Sequence, residues 1–349
     1  MSFLYPSFEN QFNKTYKIRL KTLRQYFEQN IENNVLDTIL DLNTTKSICV
    51  ITGILFISTD LKTTIFDKLK QNENDFDIKK KTYFSKDIKY FLEDETATGM
   101  CLRIYIYPKK WILKKNQKSE TVKIAFASGI NIDFSLQNRN YLKIIIDYLY
   151  LNGIDKLVLF GNFFDKDFEI FKNFIDNSFI EIILVPDYGD FNCKTFPLLP
   201  VHKKLFKKEV ISLMNPCNFK IHNEEFLFTS LFIIKDLFKY LPQNIDCIQE
   251  SGDGLRMHFI REPIEYNFNH YHNKENTISC IPYDEKEIFF IENIPNYFVV
   301  PNYDNIFLEK LIGFETYVLT VPNFKNTHKI VVLDISTQEI EIIELNKNY

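Results

Sequence analysis

Large apolar side chains recur every three or four positions near the start of the chain, and Lys and Arg lie between them. This spacing gives a helix one apolar stripe and predicts an amphipathic helix over 8–34. The stretch 47–58 is apolar and rich in Ile, which predicts a strand. The alternating stretch 100–107 predicts another strand, and the Lys-rich segment 108–120 that follows it predicts a domain boundary.

After this segment the pattern changes to short, continuous apolar runs separated by helical stretches. The runs predict strands at 122–127, 156–160 and 181–185, with helices at 141–152 and 165–177 between them. Continuous apolar strands indicate a sheet that is covered on both faces. In such sheets, ligand sites form where the parallel strands end.

The C-terminal third predicts more short strands and one further helix. The strands are 226–230, 287–291, 297–301, 316–321 and 330–335, the last opening a hairpin that runs to 345, and the helix is 233–241. Only 9 of the 349 residues are Gly, and neither G-x-G-x-x-G nor G-x-x-x-x-G-K-[ST] occurs. Dinucleotide binding by a glycine-rich turn and P-loop chemistry are therefore not expected.

Charge and cysteine usage narrow the class of protein further. The net charge is −4, whereas a free-standing nucleic-acid binder carries a basic excess. No two of the six cysteines lie closer than Cys193 and Cys217, which excludes C-x-x-C motifs and predicts buried free thiols in a reducing compartment. With no signal-peptide pattern and no apolar run of about 20 residues, we expect a soluble intracellular protein. The lysine pairs at 203–204 and 207–208 predict a solvated surface.

Polar residues follow three of the predicted strands. They are Ser128-Gly129 after the first, Gly161-Asn162 and Asp165 after the second, and Asp187 and Asp190 after the third. Carboxylates and amides at neighbouring strand ends are typical of two-metal phosphoesterases. The full pattern of that class needs D-x-H, G-D-x-x-D, G-N-H-[DE] and G-H-x-H, and most of its ligand positions are filled here by other residue types. We therefore do not expect an active two-metal site.

The six histidines predict surface or capping roles. His202, His222 and His328 are isolated, whereas His258, His270 and His272 share one polar region, 251–276. The H-Y-H spacing at 270–272 places both imidazoles on one side of a strand, but no cysteine or acidic partner stands at a metal-ligand spacing. An alternative hypothesis is a divergent metallophosphoesterase or nuclease that uses Asp165, Asp187, Asp190 and His202 with the His270/His272 pair.

Ordered blocks along most of the chain resemble the small (B) subunit family of eukaryotic DNA polymerase delta, in a shortened form. The blocks are Y-x-x-R-L within 8–23, G-x-L-F within 49–68, LEDE at 92–95, ASG at 127–129, FGNFF at 160–164, VPDYGDFNCKTFPLLP at 185–200 followed by His202, NP at 215–216, FTS at 228–230, 297–302, and TVPNF at 320–324. The segment between 95 and 122 is much shorter than in that family.

The resemblance implies a fold class of α/β plus β, with an N-terminal helix and an OB-fold followed by a calcineurin-like phosphoesterase-type β-sandwich flanked by helices. The expected domains are a helical segment at 1–43, a reduced OB-fold at 44–120 and an inactive phosphoesterase-like domain at 121–349. No catalytic residue, metal or cofactor is expected. The degenerate phosphoesterase positions would be Ser128, Gly129, Gly161, Asn162, Asp165, Asp187, Asp190 and His202.

The resemblance also implies a non-catalytic subunit in the nucleus. Its expected partners are the cysteine-rich C-terminal domain of the polymerase delta catalytic subunit and, in species that keep one, a third subunit. The resemblance implies contact with DNA only through the complex, and no binding to a membrane is expected. The small subunits of polymerase alpha or epsilon are a further alternative, but those carry an extra N-terminal helical domain, whereas the Y-x-x-R-L helix here begins almost at Met1.

Overall fold

The computed structural model divides the chain into two compact units. Unit 1 comprises 1–110 and 234–291, and unit 2 comprises 111–233 and 292–349. The structure describes residues 11–28, 35–45, 47, 49–58, 89–101, 122–131, 136–154, 156–164, 167–190, 195–237, 295–303, 305–311 and 315–345. The segment 108–120, the strand expected at 287–291, Asp165 and the His258, His270 and His272 region lie outside the described residues.

Unit 1 begins with a helix and continues with short strands. The elements are α1 (Gln11–Glu28), β1 (Val35–Leu36), a 3-10 turn (Leu40–Asn43), β2 (Val50–Ile51), β3 (Ile54–Ser58), β4 (Lys89–Glu93) and β5 (Thr98–Cys101). Strands β1 and β2 pair in parallel, and β3, β4 and β5 form an antiparallel meander. The single strand expected over 47–58 is wrong, because Thr52 and Gly53 interrupt it.

The acidic LEDE segment holds this unit together through Asp94. One carboxylate oxygen accepts from the Ile39 backbone N–H at 2.7 Å, and the other accepts from the N–H groups of Thr96 and Ala97 at 2.8 and 2.9 Å. Burial alone would raise the pKa of Asp94, but the hydrogen bonds from Thr96, Ile39 and Ala97 hold this pKa below its usual value. A buried carboxylate with this many donors is stable in its charged form.

Unit 2 contains two sheets. Its elements are β6 (Lys123–Ser128), α2 (Leu136–Leu151), β7 (Lys156–Phe160), α3 (Phe168–Asp176), β8 (Glu181–Val185), a 3-10 turn (Lys203–Leu205), β9 (Ile211–Ser212), β10 (Cys217–Ile221), β11 (Glu224–Phe228), the start of α4 (Leu231–Leu237), β12 (Tyr297–Pro301), β13 (Leu308–Lys310), β14 (Tyr317–Val321), α5 (Phe324–Thr327), β15 (Lys329–Asp334) and β16 (Glu339–Glu344).

The six-stranded sheet has the order β16-β15-β6-β7-β8-β9, and the five-stranded sheet has the order β10-β11-β12-β14-β13. In the first sheet β6 to β9 are parallel, and in the second sheet β11, β12 and β14 are parallel. The remaining strands are antiparallel edge or near-edge strands. The parallel strands of each sheet therefore end at a common edge of that sheet.

Alternate side chains of the first sheet serve two different cores. Ala125, Leu157 and Ile182 pack with residues of α2 and α3 on one face. The residues next to them along the strands, such as Phe126, pack with residues of the second sheet on the other face. Both faces are therefore covered, which is why β6, β7 and β8 are continuously apolar. This arrangement confirms the buried sheet expected from the sequence.

The bounds expected for β7, β8 and β12 agree with the structure, and the expected C-terminal hairpin is formed by β15 and β16, whereas the edge strands β9, β10 and β13 were not predicted. Strand β10 alternates between more and less buried residues, since Phe219 and Ile221 point toward the core and Lys220 is exposed. An edge strand of this kind lacks a continuous apolar run. The thiols of Cys49 and Cys217 are free. Within the described part of the chain, no helix is both long and apolar enough to cross a membrane.

Candidate functional site

The carboxyl ends of strands from both sheets converge at one edge of unit 2. Ser128 is the last residue of β6, and it forms a parallel bridge with Asn323, which follows β14. Asp187 follows β8, Ser230 follows β11, and Asn302 directly follows β12. We call these five residues the strand-end cluster. Each of them stands at or just beyond the end of a parallel strand, which is where sites in α/β proteins form.

Asp187 is the centre of the strand-end cluster. Its Oδ1 accepts from the Ser230 hydroxyl at 2.5 Å and from the Tyr188 backbone N–H at 2.8 Å. Its Oδ2 accepts from the Asn302 side-chain amide at 2.9 Å. Both carboxyl oxygens are thus engaged inside the protein, and the residue is 7% exposed. Asp187 therefore ties the first sheet to two strands of the second.

The amides extend this network to the remaining strands. Asn323 donates its side-chain N–H to the Asn302 side-chain oxygen at 2.9 Å, and the Asn302 backbone N–H donates to the Ser128 hydroxyl at 3.0 Å. The Ser128 hydroxyl in turn donates to the Pro322 carbonyl at 2.7 Å. Asn302 thus uses its backbone N–H and both polar atoms of its amide, so the chain of hydrogen bonds is continuous from Asn323 to Asp187.

Asp190 organises the loops beside the cluster. Its Oδ1 accepts from the Phe163 backbone N–H at 3.0 Å, and its Oδ2 accepts from the Asp187 backbone N–H at 2.8 Å. The backbone of Asn162 also contributes a hydrogen bond to it. Asn162 has a φ of +54°, a left-handed conformation that Asn adopts more readily than most residues. The loops after β7 and β8 are therefore joined by one carboxyl group.

Two glycines allow the strand ends to approach this closely. A Cβ on Gly161 would lie 2.1 Å from the Asp187 Cβ and 2.3 Å from its backbone nitrogen. A Cβ on Gly129, which has a φ of +59°, would lie 2.2 Å from the Asn323 side-chain nitrogen. Any side chain at either position would push the cluster apart, so glycine at both positions is required by the packing.

Burial dominates the electrostatics of the two carboxyl groups. It raises the pKa of Asp187, against the lowering effect of the hydrogen bonds from Ser230, Tyr188 and Asn302. Burial likewise raises the pKa of Asp190 to about 7, and the charge of Asp187 adds to this while the backbone donors oppose it. Burial is therefore the dominant influence on the pKa of both carboxyl groups at this edge of the sheet.

The donor set of the cluster does not fit a two-metal centre. Such a centre needs several charged or imidazole ligands with lone pairs directed at the cations. Four of the five cluster residues carry neutral amide or hydroxyl groups, and the fifth, Asp187, is bonded to protein donors through both oxygens. Among the described residues no group of three or more His, Cys, Asp or Glu side chains is arranged to hold a metal ion.

The structure brings most of the positions expected from the sequence to this edge. Ser128, Gly129, Gly161, Asn162, Asp187 and Asp190 lie together through the contacts given above. His202 is exposed instead, and its Nδ1 accepts from the Lys204 backbone N–H at 3.3 Å, which is a capping role for the 3-10 turn. Asp165 lies outside the described residues.

Three members of the cluster were missed by the sequence analysis as site residues, namely Ser230, Asn302 and Asn323. Each follows a strand of the second sheet, just as Ser128 and Asp187 mark the ends of strands of the first. Applying the strand-end rule to the C-terminal third of the chain would have indicated them. That the two sheets bring their strand ends together is a feature of the tertiary structure alone.

Two sheets packed face to face, with helices on the outer face of the first and a polar cluster at the strand ends, define a calcineurin-like phosphoesterase-type sandwich. A family model described as the DNA polymerase delta subunit OB-fold domain matches residues 11–110. A second model, which describes the B subunit of DNA polymerases alpha and epsilon, matches residues 168–307. The first match confirms the expected OB-fold.

Two curated relatives agree with these models. The DNA polymerase delta small subunit of Saccharomyces cerevisiae is 26% identical over 275 residues, which cover 64% of this chain and 56% of the relative. The rice (Oryza sativa subsp. japonica) DNA polymerase delta small subunit is 21% identical over an alignment of 387 positions, which covers 89% of this chain and 86% of the relative. The two family models and the two relatives together support the family of DNA polymerase delta small (B) subunits for this chain. The match thus spans just over half the length of the yeast relative.

Among solved structures, an archaeal phosphodiesterase superposes with a TM-score of 0.36 at 11% sequence identity, covering 64% of this chain and all of that chain. The fold of unit 2 is defined by the strand order of its two sheets and by their face-to-face packing.

Proposed function

We propose that this chain is a non-catalytic accessory subunit of the replicative DNA polymerase delta and acts as a scaffold. The observation that carries this proposal is the strand-end cluster, in which both carboxyl oxygens of Asp187 accept hydrogen bonds from Ser230, Tyr188 and Asn302. In an active phosphoesterase these strand ends supply metal ligands. Here they supply hydrogen bonds that join the two sheets, which suits a structural role. The family membership gives the complex in which that role is exercised.

The proposed partner is the cysteine-rich C-terminal domain of the catalytic subunit, together with a third subunit in species that have one. The net charge of −4 supports contact with DNA only through the complex. We place the protein in the nucleus, where a replicative polymerase acts, and a fluorescent fusion in cells of the source organism would test this. Cytoplasmic retention in dividing cells would contradict it.

The domain organisation we propose is a helical segment at 1–43, a reduced OB-fold at 44–120 and an inactive phosphoesterase-like domain at 121–349. The family model for the OB-fold ends at residue 110, close to the second of these boundaries. Limited proteolysis with mass spectrometry tests the division. Cleavage concentrated near 43 and 120 would support it, and a stable fragment spanning either position would contradict it.

Co-expression with the C-terminal domain of the polymerase delta catalytic subunit tests the scaffold role. We expect a stable one-to-one complex by size-exclusion chromatography with light scattering. The matched controls are the C-terminal domains of the alpha and epsilon catalytic subunits from the same organism, which we expect to elute separately. A complex with one of these controls and none with the delta domain would contradict the assignment to delta.

The absence of catalysis has a separate test. We expect the purified chain to carry no stoichiometric Mn, Fe or Zn by elemental analysis, and to show no Mn²⁺-dependent nuclease activity above that of the Asp187→Ala/Asp190→Ala double variant. Activity that the double substitution abolishes would support the alternative, a divergent metallophosphoesterase. This outcome is independent of whether the chain binds the polymerase.

A further inference from the structure

The edge of the six-stranded sheet opposite the strand-end cluster exposes three large apolar side chains. Tyr150 and Leu151 end α2 just before β7, and Phe179 lies between α3 and β8. Their exposed fractions are 64%, 80% and 82%, and the rings of Tyr150 and Phe179 lie 6.0 Å apart. We call these three residues the apolar patch. Single exposed apolar residues are common, but adjoining ones mark an interaction surface.

A lysine-rich loop, 203–208, borders the apolar patch. The Lys208 ammonium group donates to the Ser178 carbonyl at 2.8 Å and to the Ser178 hydroxyl at 2.7 Å, and it also donates to the Ile180 carbonyl. The Lys207 backbone N–H donates to the Asp176 carboxylate at 2.7 Å. These bonds fix the loop to the residues on either side of Phe179 in the chain, so the loop lies beside the Phe179 end of the apolar patch.

The outer lysines of this loop are available to a partner. Lys203, Lys204 and Lys207 are exposed, and none of them forms an ion pair with a described residue. Two acidic side chains close to the loop are already used, because Asp176 pairs with Lys172 and Glu181 pairs with Lys156 at 2.7 Å. The exposed acid that follows the loop directly in sequence is Glu209. The segment 203–209 thus holds four lysines and one glutamate, so the loop is basic in a chain whose net charge is −4.

We propose that the apolar patch and its lysine loop form a docking surface for an acidic amphipathic segment of another protein. Apolar side chains of the segment would cover Leu151 and Phe179, and its carboxylates would face Lys203, Lys204 and Lys207. Charge complementarity favours an acidic partner. Nucleic acid is a poorer match, because the phosphate backbone gains nothing from exposed Leu and Phe side chains and three lysines neutralise few phosphates. This surface is independent of the proposed scaffold role.

The test is fluorescence anisotropy with the full chain and a short labelled peptide that carries Phe and Leu on one helical face and Glu on the others. We expect saturable binding with a Kd of about 100 µM or tighter. Leu151→Ser/Phe179→Ser should weaken it at least about tenfold, and Lys203→Glu/Lys204→Glu/Lys207→Glu by a similar factor that shrinks as salt is raised. The same peptide with Lys in place of Glu should not bind.

The matched control variant is Lys220→Glu/Ile342→Ser, which changes one exposed lysine and one exposed isoleucine on strands β10 and β16. It should bind the acidic peptide as the unaltered chain does. If the triple or double variant loses its cooperative thermal transition, Phe179→Ser alone is used, since this side chain is the most exposed of the apolar patch.

Three outcomes would overturn the proposal: no saturable binding of the acidic peptide, equal binding of the basic peptide, or binding that the patch variants leave unchanged. Single-stranded DNA and phosphatidylserine vesicles are titrated in parallel. Binding of either one that the patch variants abolish, without binding of the acidic peptide, would overturn it too and assign the surface to a phosphate-bearing partner instead.

Discussion

The carboxyl ends and the amino ends of the strands in the six-stranded sheet of unit 2 differ in which side chains they expose. At the carboxyl ends of the strands, Asp187 and its neighbours are buried and bonded to one another. At the amino ends, Leu151 and Phe179 are exposed beside lysines that pair with no described residue. Polar groups are thus hidden at one edge and apolar groups are displayed at the other, the reverse of the usual distribution.

This difference shows that the position of a strand end in the fold does not by itself fix its role in this chain. The carboxyl edge is where the fold places chemistry, and here it acts as a structural joint between two sheets. The amino edge has no such role in the fold, yet it carries the features of a binding surface. Stability is therefore expected to respond to substitutions at the carboxyl edge, and binding to substitutions at the amino edge.

The largest effect is expected from adding a methyl group at the carboxyl edge. Gly161→Ala places a Cβ within 2.1 Å of the Asp187 Cβ, so the backbone must move, and we expect a loss of about 3 kcal/mol or more in the free energy of unfolding. The control at the amino edge is Gly153→Ala, with open space around it and a φ of +65°, which should cost about 1 kcal/mol. Chemical denaturation followed by circular dichroism measures both, and equal losses would refute the comparison.

A smaller loss is expected from removing the central carboxyl group. Asp187→Ala leaves the Ser230 hydroxyl and the Asn302 amide without their acceptor, which should cost about 2 to 3 kcal/mol in the free energy of unfolding. Asp187→Asn keeps one acceptor oxygen and should cost less. Asp147→Ala, at an exposed position on α2, serves as the control and should change stability by under about 0.5 kcal/mol. A neutral Asp187→Ala variant would mean that the network does not join the sheets.

The dependence of stability on pH should come from the carboxyl edge. Because burial raises the pKa of Asp190 to about 7 from 3.8, the folded chain holds a proton that the unfolded chain releases. The free energy of unfolding should therefore fall as pH rises between the unfolded pKa of 3.8 and the folded pKa of about 7. We expect a fall of about 2 kcal/mol between about pH 5.5 and 7.5, and no further change above this range.

Replacing Asp190 isolates this contribution. Asp190→Asn cannot titrate, so its stability relative to the unaltered chain should improve with rising pH by the same amount. The comparison at the amino edge is Glu181→Gln, which removes an exposed ion pair with Lys156 worth little at a surface, and it should leave the pH dependence unaltered. Parallel curves for the Asp190→Asn variant and the unaltered chain would contradict the raised pKa.

The smallest effect on stability is expected at the apolar patch. Phe179→Ser changes a side chain that is 82% exposed, so the free energy of unfolding should stay within about 0.5 kcal/mol of the original, while binding of the acidic peptide is lost. The thermal midpoint and the anisotropy titration are measured on the same sample. A large loss of stability would show that Phe179 supports the fold, and the two edges would then differ less than we infer.

Several elements were predictable because their information is local. Strands β7 and β8 are continuous apolar runs buried on both faces, so the pattern alone marks their bounds. Asp187 and Asp190 stand out as acids just past such a run. The edge strand β10 escaped prediction because its residues alternate between less and more exposed positions and form no continuous apolar run. The interruption at Thr52-Gly53 escaped prediction because the residues on either side of it are apolar.

The class of each region can be inferred from the sequence alone. Its periodicities predict helices and buried strands, its ordered motifs resemble the polymerase delta small-subunit family, and few of its strand ends carry metal-ligand residue types. Which polar residues share one network depends on tertiary packing, because the packing of two sheets brings together Ser128, Asp187, Ser230 and Asn302. Packing also brings the exposed rings of Tyr150 and Phe179 together, next to the exposed Leu151 at the end of α2. Periodicity reports which side of its own element a residue faces, whereas its partners depend on how distant elements pack.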